Sequence, residues 1–270
     1  MILRSGITVA MAFWCLAATA ETLQVSDLAI DEVHVVGSVE VEISQGDETQ
    51  LLVRGDQDDL NLRPFYAKGD TLVLGASQAN PGESFSGVKY KLTVERLRDL
   101  RLSGSGDVFV RPLEASNLRV TVECSGDIKL FSVTGDTVRL NVAGSGDLYA
   151  AELEALTMEL MGSGSGDVAI GDFGAETVEA VVSGSGDISA QSARGKATRV
   201  ELNIVGNGEI NLAELDADAA EVNIVGSGNA RVGEVGRLEA NIIGSGDIFY
   251  AGTPVLDSNV LGSGDLNRRR

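Results

Sequence analysis

Residues 164–187 read GSGDVAIGDFGAETVEAVVSGSGD, which is one full repeat of the chain between two copies of a four-residue motif. The motif is Gly-Ser-Gly-Asp or a close variant, occurs nine times and contains 17 of the 33 glycines. Serial copies of one short unit predict a solenoid, in which each coil stacks on the coil before it. The fourth motif position is occupied by Asp107, Asp127, Asp147, Asp167, Asp187, Glu209, Asn229, Asp247 and Asp265.

The spacing between motifs predicts that the repeats form β-strands in register. The fourth position recurs after 20, 20, 20, 20, 22, 20, 18 and 18 residues, and every step is even. A strand alternates its faces with period 2, so an even step keeps the same side chains inward. Apolar residues recur seven and five positions before the fourth motif position, and again one and three positions after it. All four positions are an even number of residues apart, so their side chains lie on one face of the strands and are expected inside. Six positions after it the parity switches, which predicts a corner before Leu113, Leu153, Phe173, Leu215 and Val235.

This pattern predicts an all-β chain that forms a right-handed parallel β-helix of about nine rungs. A helical interpretation fails because the apolar period is 2, and propeller blades usually need 40 or more residues. The irregular N-terminal part is interpreted as a β cap, in which Gly37–Glu40 resembles a degenerate motif and Val33, Val35, Val41 and Ile43 point inward. The expected organisation is a signal peptide at 1–20, the cap at 21–98, the β-helix at 99–267 and a disordered basic tail at 268–270.

The motif itself has a structural explanation. Inward-pointing glycines leave no side chain at the bend, so the backbone can approach itself closely or adopt positive φ. The serine and aspartate point outward and can accept hydrogen bonds from nearby backbone donors. The glycines thus explain the bend, whereas the fold is not expected to require the row of aspartates, and we expect any binding function to begin there.

The N-terminal residues predict export. Arg4 is followed by an apolar run and by Ala18-Thr19-Ala20, which is typical of a signal peptide cleaved after Ala20. The remaining chain has 20 basic residues (21 minus Arg4) against 40 acidic ones, a net charge of −20. This charge disfavours nucleic acid as a partner. We expect a periplasmic, outer-surface or secreted protein without a transmembrane segment, in which the remaining cysteine, Cys124, is a small apolar filler.

The repeats and two further stretches resemble the GIN-domain family, described as the putative auto-transporter adhesin head domain. The two stretches are Lys68–Leu74 and Ile248–Pro254. The resemblance covers most of the chain after residue 20. It implies a bacterial cell-envelope or secreted β-helix with adhesin-like binding, and it provides no catalytic residues to carry over.

The chemistry available argues against an enzyme. His34 is the only histidine, from which we expect no histidine-based triad or multi-histidine metal site, and we expect it on an edge strand. The remote alternative is a polysaccharide-active β-helix enzyme, but the carboxylates recur as regular ladders and no tryptophan remains after residue 20.

Two outward ladders are the candidate sites. Like charges stacked on adjacent strands repel, so solvent, backbone donors or bound cations must relieve them. We hypothesise that no cofactor is required but that Ca²⁺ binds weakly along Asp107, Asp127, Asp147, Asp167 and Asp187. The second ladder is the candidate binding face, preceded by Arg119 and Arg139 and made of Glu159, Glu179, Glu201, Glu221 and Glu239 with Asn203, Asn223 and Asn241 alongside.

Two functions remain open at this point. The first is a binding or adhesion module that contacts a glycan or an envelope protein through a flat ladder face. The second is a structural envelope protein that associates with itself. Met161, Val181 and Leu261 favour the first, because these apolar residues are expected in the outward column that holds asparagine elsewhere.

Overall fold

The computed structural model describes residues 21–26 and 28–269. The predicted signal peptide lies outside the described residues. The described chain is almost entirely β, with one short helix, and forms a solenoid of about eight turns between the first and last motifs.

The N-terminal part contains seven strands and the helix. Their bounds are β1 (Glu21–Ser26), β2 (Glu32–Gly37), β3 (Glu40–Gln45), β4 (Gln50–Gly55), α1 (Gln57–Asn61), β5 (Phe65–Lys68), β6 (Thr71–Leu74) and β7 (Lys89–Val94).

The repeats contain fourteen strands, several of which run through a corner from one face of the coil to the next. Their bounds are β8 (Asp99–Gly104), β9 (Asp107–Val110), β10 (Leu113–Val122), β11 (Asp127–Val142), β12 (Leu148–Gly164), β13 (Val168–Gly184), β14 (Ile188–Ala193), β15 (Lys196–Gly206), β16 (Glu209–Leu212), β17 (Asp216–Gly226), β18 (Asn229–Gly244), β19 (Ile248–Ala251), β20 (Val255–Gly262) and β21 (Leu266–Arg268).

All pairings between successive coils are parallel, and they follow the register that the even steps predict except at an irregularity between β18 and β19, where Glu234 lies opposite Ala251. Glu201 lies opposite Glu221, and Gly206 lies opposite Gly226. Where the step is 22, the extra pair of residues is taken up at the corner between β14 and β15, around Arg194 and Gly195, and the ladder beyond it is again in register. Changes in repeat length therefore fall at corners, where no inward column is disturbed.

The predicted inward columns form the hydrophobic core. From Leu100 to Ile248 these positions are buried or filled by glycine, and the residues that follow the parity switch, such as Leu153 and Phe173, are also buried. The parallel β-helix is thus confirmed, together with its inward face and corners. In the last coil the same columns are not covered: Val260 is exposed, and Tyr250 and Leu266 are half-buried.

Contact between stacked backbones explains the motif glycines. A Cβ atom built on Gly206 would lie 2.3 Å from the carbonyl oxygen of Gly184 in the coil before, and Gly206 has φ of +129°. Both features exclude a side chain, because Cβ atoms do not approach carbonyl oxygens so closely and positive φ is costly for other residues.

The N-terminal segment continues the coil but in a different spatial order. β2 and β3 form one coil, which pairs with β8 and β9 on one side and with β6 and β7 on the other. As predicted, Val33, Val35, Val41 and Ile43 are buried. Antiparallel strands complete this end: β5 pairs with β6, β4 pairs with β7, and β1 pairs with β4.

The buried side chain of Tyr90 forms two hydrogen bonds at the N-terminal end of the solenoid. The Tyr90 hydroxyl donates to the Pro64 carbonyl oxygen at 2.7 Å and accepts from the Gly75 backbone N–H at 3.2 Å. Burial raises the pKa of Tyr90 well above its ordinary value, so the hydroxyl keeps its proton and both bonds. At the other end of the chain, in the segment expected to be a disordered basic tail, β21 includes Arg268 and the Arg269 N–H bonds to the Tyr250 carbonyl oxygen at 2.7 Å.

Candidate functional site

The row of aspartates forms a chain of hydrogen bonds along the solenoid. The carboxylate of Asp127 accepts from the backbone N–H of Asp147 at 3.0 Å, that of Asp147 from Asp167 at 2.9 Å, and that of Asp167 from Asp187 at 2.8 Å. The contact recurs from Glu209 N–H to Asp187 at 2.7 Å. Asp127, Asp147, Asp167 and Asp187 each accept a backbone donor of the next coil, whereas the Asp127 N–H bonds to the Gly106 carbonyl oxygen and leaves Asp107 outside this chain. The aspartates therefore bind backbone donors as the structural explanation of the motif predicted, and the fold uses a row that it was not expected to require.

Two natural substitutions in this row show what the contact requires. Asn229 keeps it, because its Oδ1 accepts from the Asp247 N–H at 3.0 Å. The Glu209 side chain, one methylene longer, is paired instead with the Arg231 guanidinium. A short side chain with an oxygen at the δ position of aspartate or asparagine is the common requirement, and a negative charge is not.

Backbone donors thus relieve part of the charge repulsion along the row. Across residues 21–26 and 28–269, no group of three or more His, Cys, Asp or Glu side chains is close enough to hold one metal ion. Weak Ca²⁺ binding along Asp107, Asp127, Asp147, Asp167 and Asp187 stays a prediction, which would have to use the carboxylate oxygens that the backbone leaves free.

The second ladder lies on the strand that precedes each motif. Glu159, Glu179, Glu201, Glu221 and Glu239 stack in direct register, and Arg119 and Arg139 precede them. Arg139 pairs with Glu159 at 2.6 Å, and Arg199 contacts Glu221 at 2.9 Å and Glu201 at 3.3 Å. Arginines at intervals therefore offset the repulsion between stacked glutamates.

The asparagines beside this ladder bond to one another as predicted. The Asn223 amide donates to the Asn203 side-chain oxygen at 3.0 Å, and the Asn241 amide donates to that of Asn223 at 3.0 Å. Asn203 also donates to Glu201 at 3.2 Å. These bonds hold the amides in one orientation and give the surface a regular row of polar groups.

An apolar column runs beside the asparagines and was not anticipated from the sequence. Val205, Val225, Ile243 and Leu261 stack in direct register and are 46–59 % exposed. The earlier coils have Ser163 and Ser183 in this column. The sequence does contain this column, because each of its residues directly precedes a four-residue motif.

The register also corrects the position of Leu261. It pairs with Ile243 in the apolar column, while Asn259 continues the asparagine column opposite Asn241. Met161 and Val181 do occupy the asparagine column. We define the outer ladder face as the surface formed by three adjacent columns: Glu201, Glu221 and Glu239; Asn203, Asn223 and Asn241; and Val205, Val225, Ile243 and Leu261.

His34 lies in an interior strand and not at an edge as expected, since β2 pairs with both β6 and β8. Its Nε2 is 2.9 Å from the Ser103 hydroxyl, which donates to the Glu123 carboxylate at 2.6 Å. A single histidine can serve in a triad, so the count of histidines alone did not exclude one. Here, however, the carboxylate binds the serine, whereas in a triad it would orient the imidazole.

Partial burial, with the nearby Arg101 adding to it, lowers the pKa of His34 below its ordinary value. Folding therefore favours the neutral imidazole relative to the unfolded chain. Cys124 also differs from expectation: it occupies a motif glycine position and its side chain is exposed, so it does not fill the core.

In the described part of the chain, no helix has the length and apolarity needed to span a membrane.

Comparison with known proteins identifies relatives by family and by fold. The family model described as "Putative auto-transporter adhesin, head GIN domain" matches residues 29–194 and 189–254. A comparison with curated proteins finds no match.

Several solved structures share the architecture over nearly their whole length. One from Parabacteroides distasonis, described as a "Putative lipid binding protein", has a TM-score of 0.66 and 26 % identity, with 94 % of this chain and 98 % of that chain covered. Another from Parabacteroides distasonis, described as a "putative adhesin", has a TM-score of 0.67 at 21 % identity and the same coverage. A "putative adhesin" from Parabacteroides merdae has a TM-score of 0.68 at 18 % identity, again with that coverage.

Proposed function

Since the chain belongs to the GIN-domain family, described as putative auto-transporter adhesin head domains, we propose that it is an exported, adhesin-like binding module without catalytic activity. The binding surface is the outer ladder face. Four stacked exposed aliphatic side chains beside a hydrogen-bonded asparagine row are the observation that carries this proposal.

The exposed apolar column is unusual for the surface of a highly charged protein. Isolated exposed apolar residues are ordinary, but contiguous ones rimmed by polar groups mark interaction sites. Strands about 4.8 Å apart make this column about 15 Å long, which matches a ligand that is itself extended.

The three columns together favour a carbohydrate ligand. Amide and carboxylate groups at regular intervals can bond to sugar hydroxyls, and the aliphatic column can pack against the apolar faces of the sugar rings. The acidic balance disfavours nucleic acid. An extended segment of an envelope protein fits the same surface and is the alternative ligand.

A role outside catalysis rests on the regularity of the site. Catalysis by a polysaccharide-active enzyme needs an acid and a base with different environments. The carboxylates here stand in repeated and equivalent positions.

Export rests on the predicted signal peptide, and mass spectrometry of the protein from its native host would test for an N-terminus at Glu21.

A glycan array with matched variants tests the binding site. Val205→Thr together with Val225→Thr keeps the β-branched shape but adds two hydroxyls to the apolar column. Leu156→Thr is the control, since Leu156 is 52 % exposed and lies outside the outer ladder face. We expect the double variant to lose most glycan binding and the control to keep it.

Equal binding by the double variant and the wild-type protein would remove the outer ladder face as the site. Binding to no glycan, but to neutral lipid vesicles, would redirect the proposal toward lipid, the ligand class named for the 26 % identical structure. A purely structural, self-associating role is the second candidate, and small-angle scattering over a concentration series would detect its growing assemblies.

A further inference from the structure

The two ends of the solenoid are built differently. At the N-terminal end, antiparallel strands β5, β4 and β1 continue the sheet beyond the outermost parallel strands, and α1 packs against β4 and β1. At the C-terminal end, β20 pairs with β18 on one edge, and within the described residues no strand pairs with its other edge. An eight-residue edge strand is therefore open.

Natural edge strands are usually protected by lysine, proline, a bulge or a covering segment. β20 reads VLDSNVLG and has one charge, Asp257. Its register with β18 is continuous from Val255 to Gly262, without a bulge. The inward residues Leu256 and Val260 are 44 % and 38 % exposed, although the same columns are buried in the coils before them. The end of the core is thus uncovered along with the edge.

The sequence of β20 is complementary to itself when reversed. In an antiparallel pair centred on Ser258, Leu256 of each copy lies opposite Val260 of the other on the inward face. On the outward face Val255 lies opposite Leu261, and Asp257 lies opposite Asn259. Apolar residues meet apolar ones in four pairs, and the single acid meets an amide and not a second acid.

We propose that β20 is a dimerisation strand, through which two copies of the chain pair antiparallel about Ser258 and join their sheets and cores end to end. The partner is a second copy because the pattern of apolar, charged and small residues matches its own reverse. The interface is isologous and uses the open end of both copies, so the assembly closes at two. This inference does not depend on the binding function of the outer ladder face, although Leu261 belongs to both surfaces.

Charge substitution at one position tests the register without altering the core. Asn259→Asp places an acid opposite Asp257 in both symmetric pairs, whereas Asn259→Lys places a cation there. Sedimentation over a concentration series should show a dimer for the wild-type protein. We expect Asn259→Asp to weaken it roughly tenfold and Asn259→Lys to strengthen it. The control Asn223→Asp lies in the same column but within the solenoid, and should leave the dimer unchanged.

A designed disulfide tests the symmetry axis directly. Directly opposed residues of an antiparallel pair have Cα atoms about 4.5–5.5 Å apart, within the range of a disulfide. In a Cys124→Ser background, Ser258→Cys should therefore form a covalent dimer under mild oxidation. Asp257→Cys should not, because its symmetry mate lies about 8 Å away.

Three results would overturn the proposal. One is a protein that stays monomeric at hundreds of micromolar, and another is assembly that grows beyond two. The third is a dimer that is insensitive to both Asn259 substitutions and does not cross-link at position 258. A failure of glycan binding would leave each of these readouts unchanged, so the two proposals fail independently.

Discussion

Replacement of Asp147, Asp167 and Asp187 by alanine should destabilise the protein, while replacement of the same three by asparagine should not. Each of these carboxylates accepts one backbone N–H from the next coil, at 2.7–2.9 Å. Alanine removes all three acceptors, and asparagine retains them. Asn229 already makes the same contact in the wild-type protein.

The size of the effect follows from comparable contacts. A side-chain oxygen that accepts from an otherwise open backbone N–H at a helix N-terminus is worth about 1 kcal/mol, so the alanine variant loses about 3 kcal/mol. Removal of three stacked negative charges returns about 1 kcal/mol to both variants. The free energy of unfolding should therefore fall by about 2 kcal/mol for alanine and rise by up to about 1 kcal/mol for asparagine. For about 250 residues each kcal/mol shifts the melting temperature by about 2 °C, so the variants should differ by about 6 °C.

The assay is thermal unfolding followed by far-ultraviolet circular dichroism, with EDTA present to remove divalent cations. Asp136→Ala is the control, since Asp136 is exposed and lies outside both the motif row and the proposed dimerisation strand. If the asparagine variant were destabilised as much as the alanine variant, the charge of the row and not its hydrogen bonds would support the fold. That result would refute a hydrogen-bonding role for the row.

Three further predictions address the bend, the partly buried His34 and calcium. Gly206→Ala should lower the free energy of unfolding, measured in urea, by more than about 2 kcal/mol, because the added Cβ would lie 2.3 Å from the Gly184 carbonyl oxygen. Gly87→Ala is the control and should change urea unfolding little, because a Cβ added there has no atom within 4 Å. Because the pKa of His34 is lowered in the folded protein, the unfolded chain takes up a proton near the ordinary pKa of about 6.5 and the folded protein does so only at lower pH. Stability should therefore fall as the pH drops below about 6.5. His34→Gln should flatten this part of the pH dependence in chemical denaturation, and an unchanged slope between about pH 7.5 and 5.5 would contradict the assignment. If Ca²⁺ binds along the aspartate row, millimolar Ca²⁺ should raise the melting temperature of the wild-type protein, and an identical melting temperature in EDTA would exclude such binding.

Much of the architecture was predictable because a solenoid repeats in one dimension. Residues such as Glu201 and Glu221 contact each other at a separation equal to the repeat, so the spacing of the motif defines their neighbours. The even steps then determine which side chains point inward, and the buried column from Leu100 to Ala240 follows from that rule. The asparagine ladder was predictable for the same reason, since Asn203 and Asn223 occupy equivalent positions one coil apart.

The features that were not predicted arise where the repeat stops or where a hydrogen bond connects two coils. His34 was expected at an edge, but β6 follows β2 in sequence and packs on its free side, which no period indicates. The motif aspartates were expected to accept from nearby backbone donors but not to be required by the fold, because the pattern specifies that Asp167 faces outward and not that the N–H of Asp187 in the next coil points toward it.

What the sequence determined by itself is therefore the repeat, its register, its inward face and the family to which the chain belongs. The tertiary structure alone decided the order of the N-terminal strands, the backbone donors bound by the aspartate row, the column in which Leu261 lies and the open edge of β20. The physical reason is that inward and outward positions depend on local strand alternation, which the chain carries in its own periodicity. Strand order at the ends and the direction of bonds between coils depend on which backbones are neighbours in space, and that is defined only when the coils are stacked.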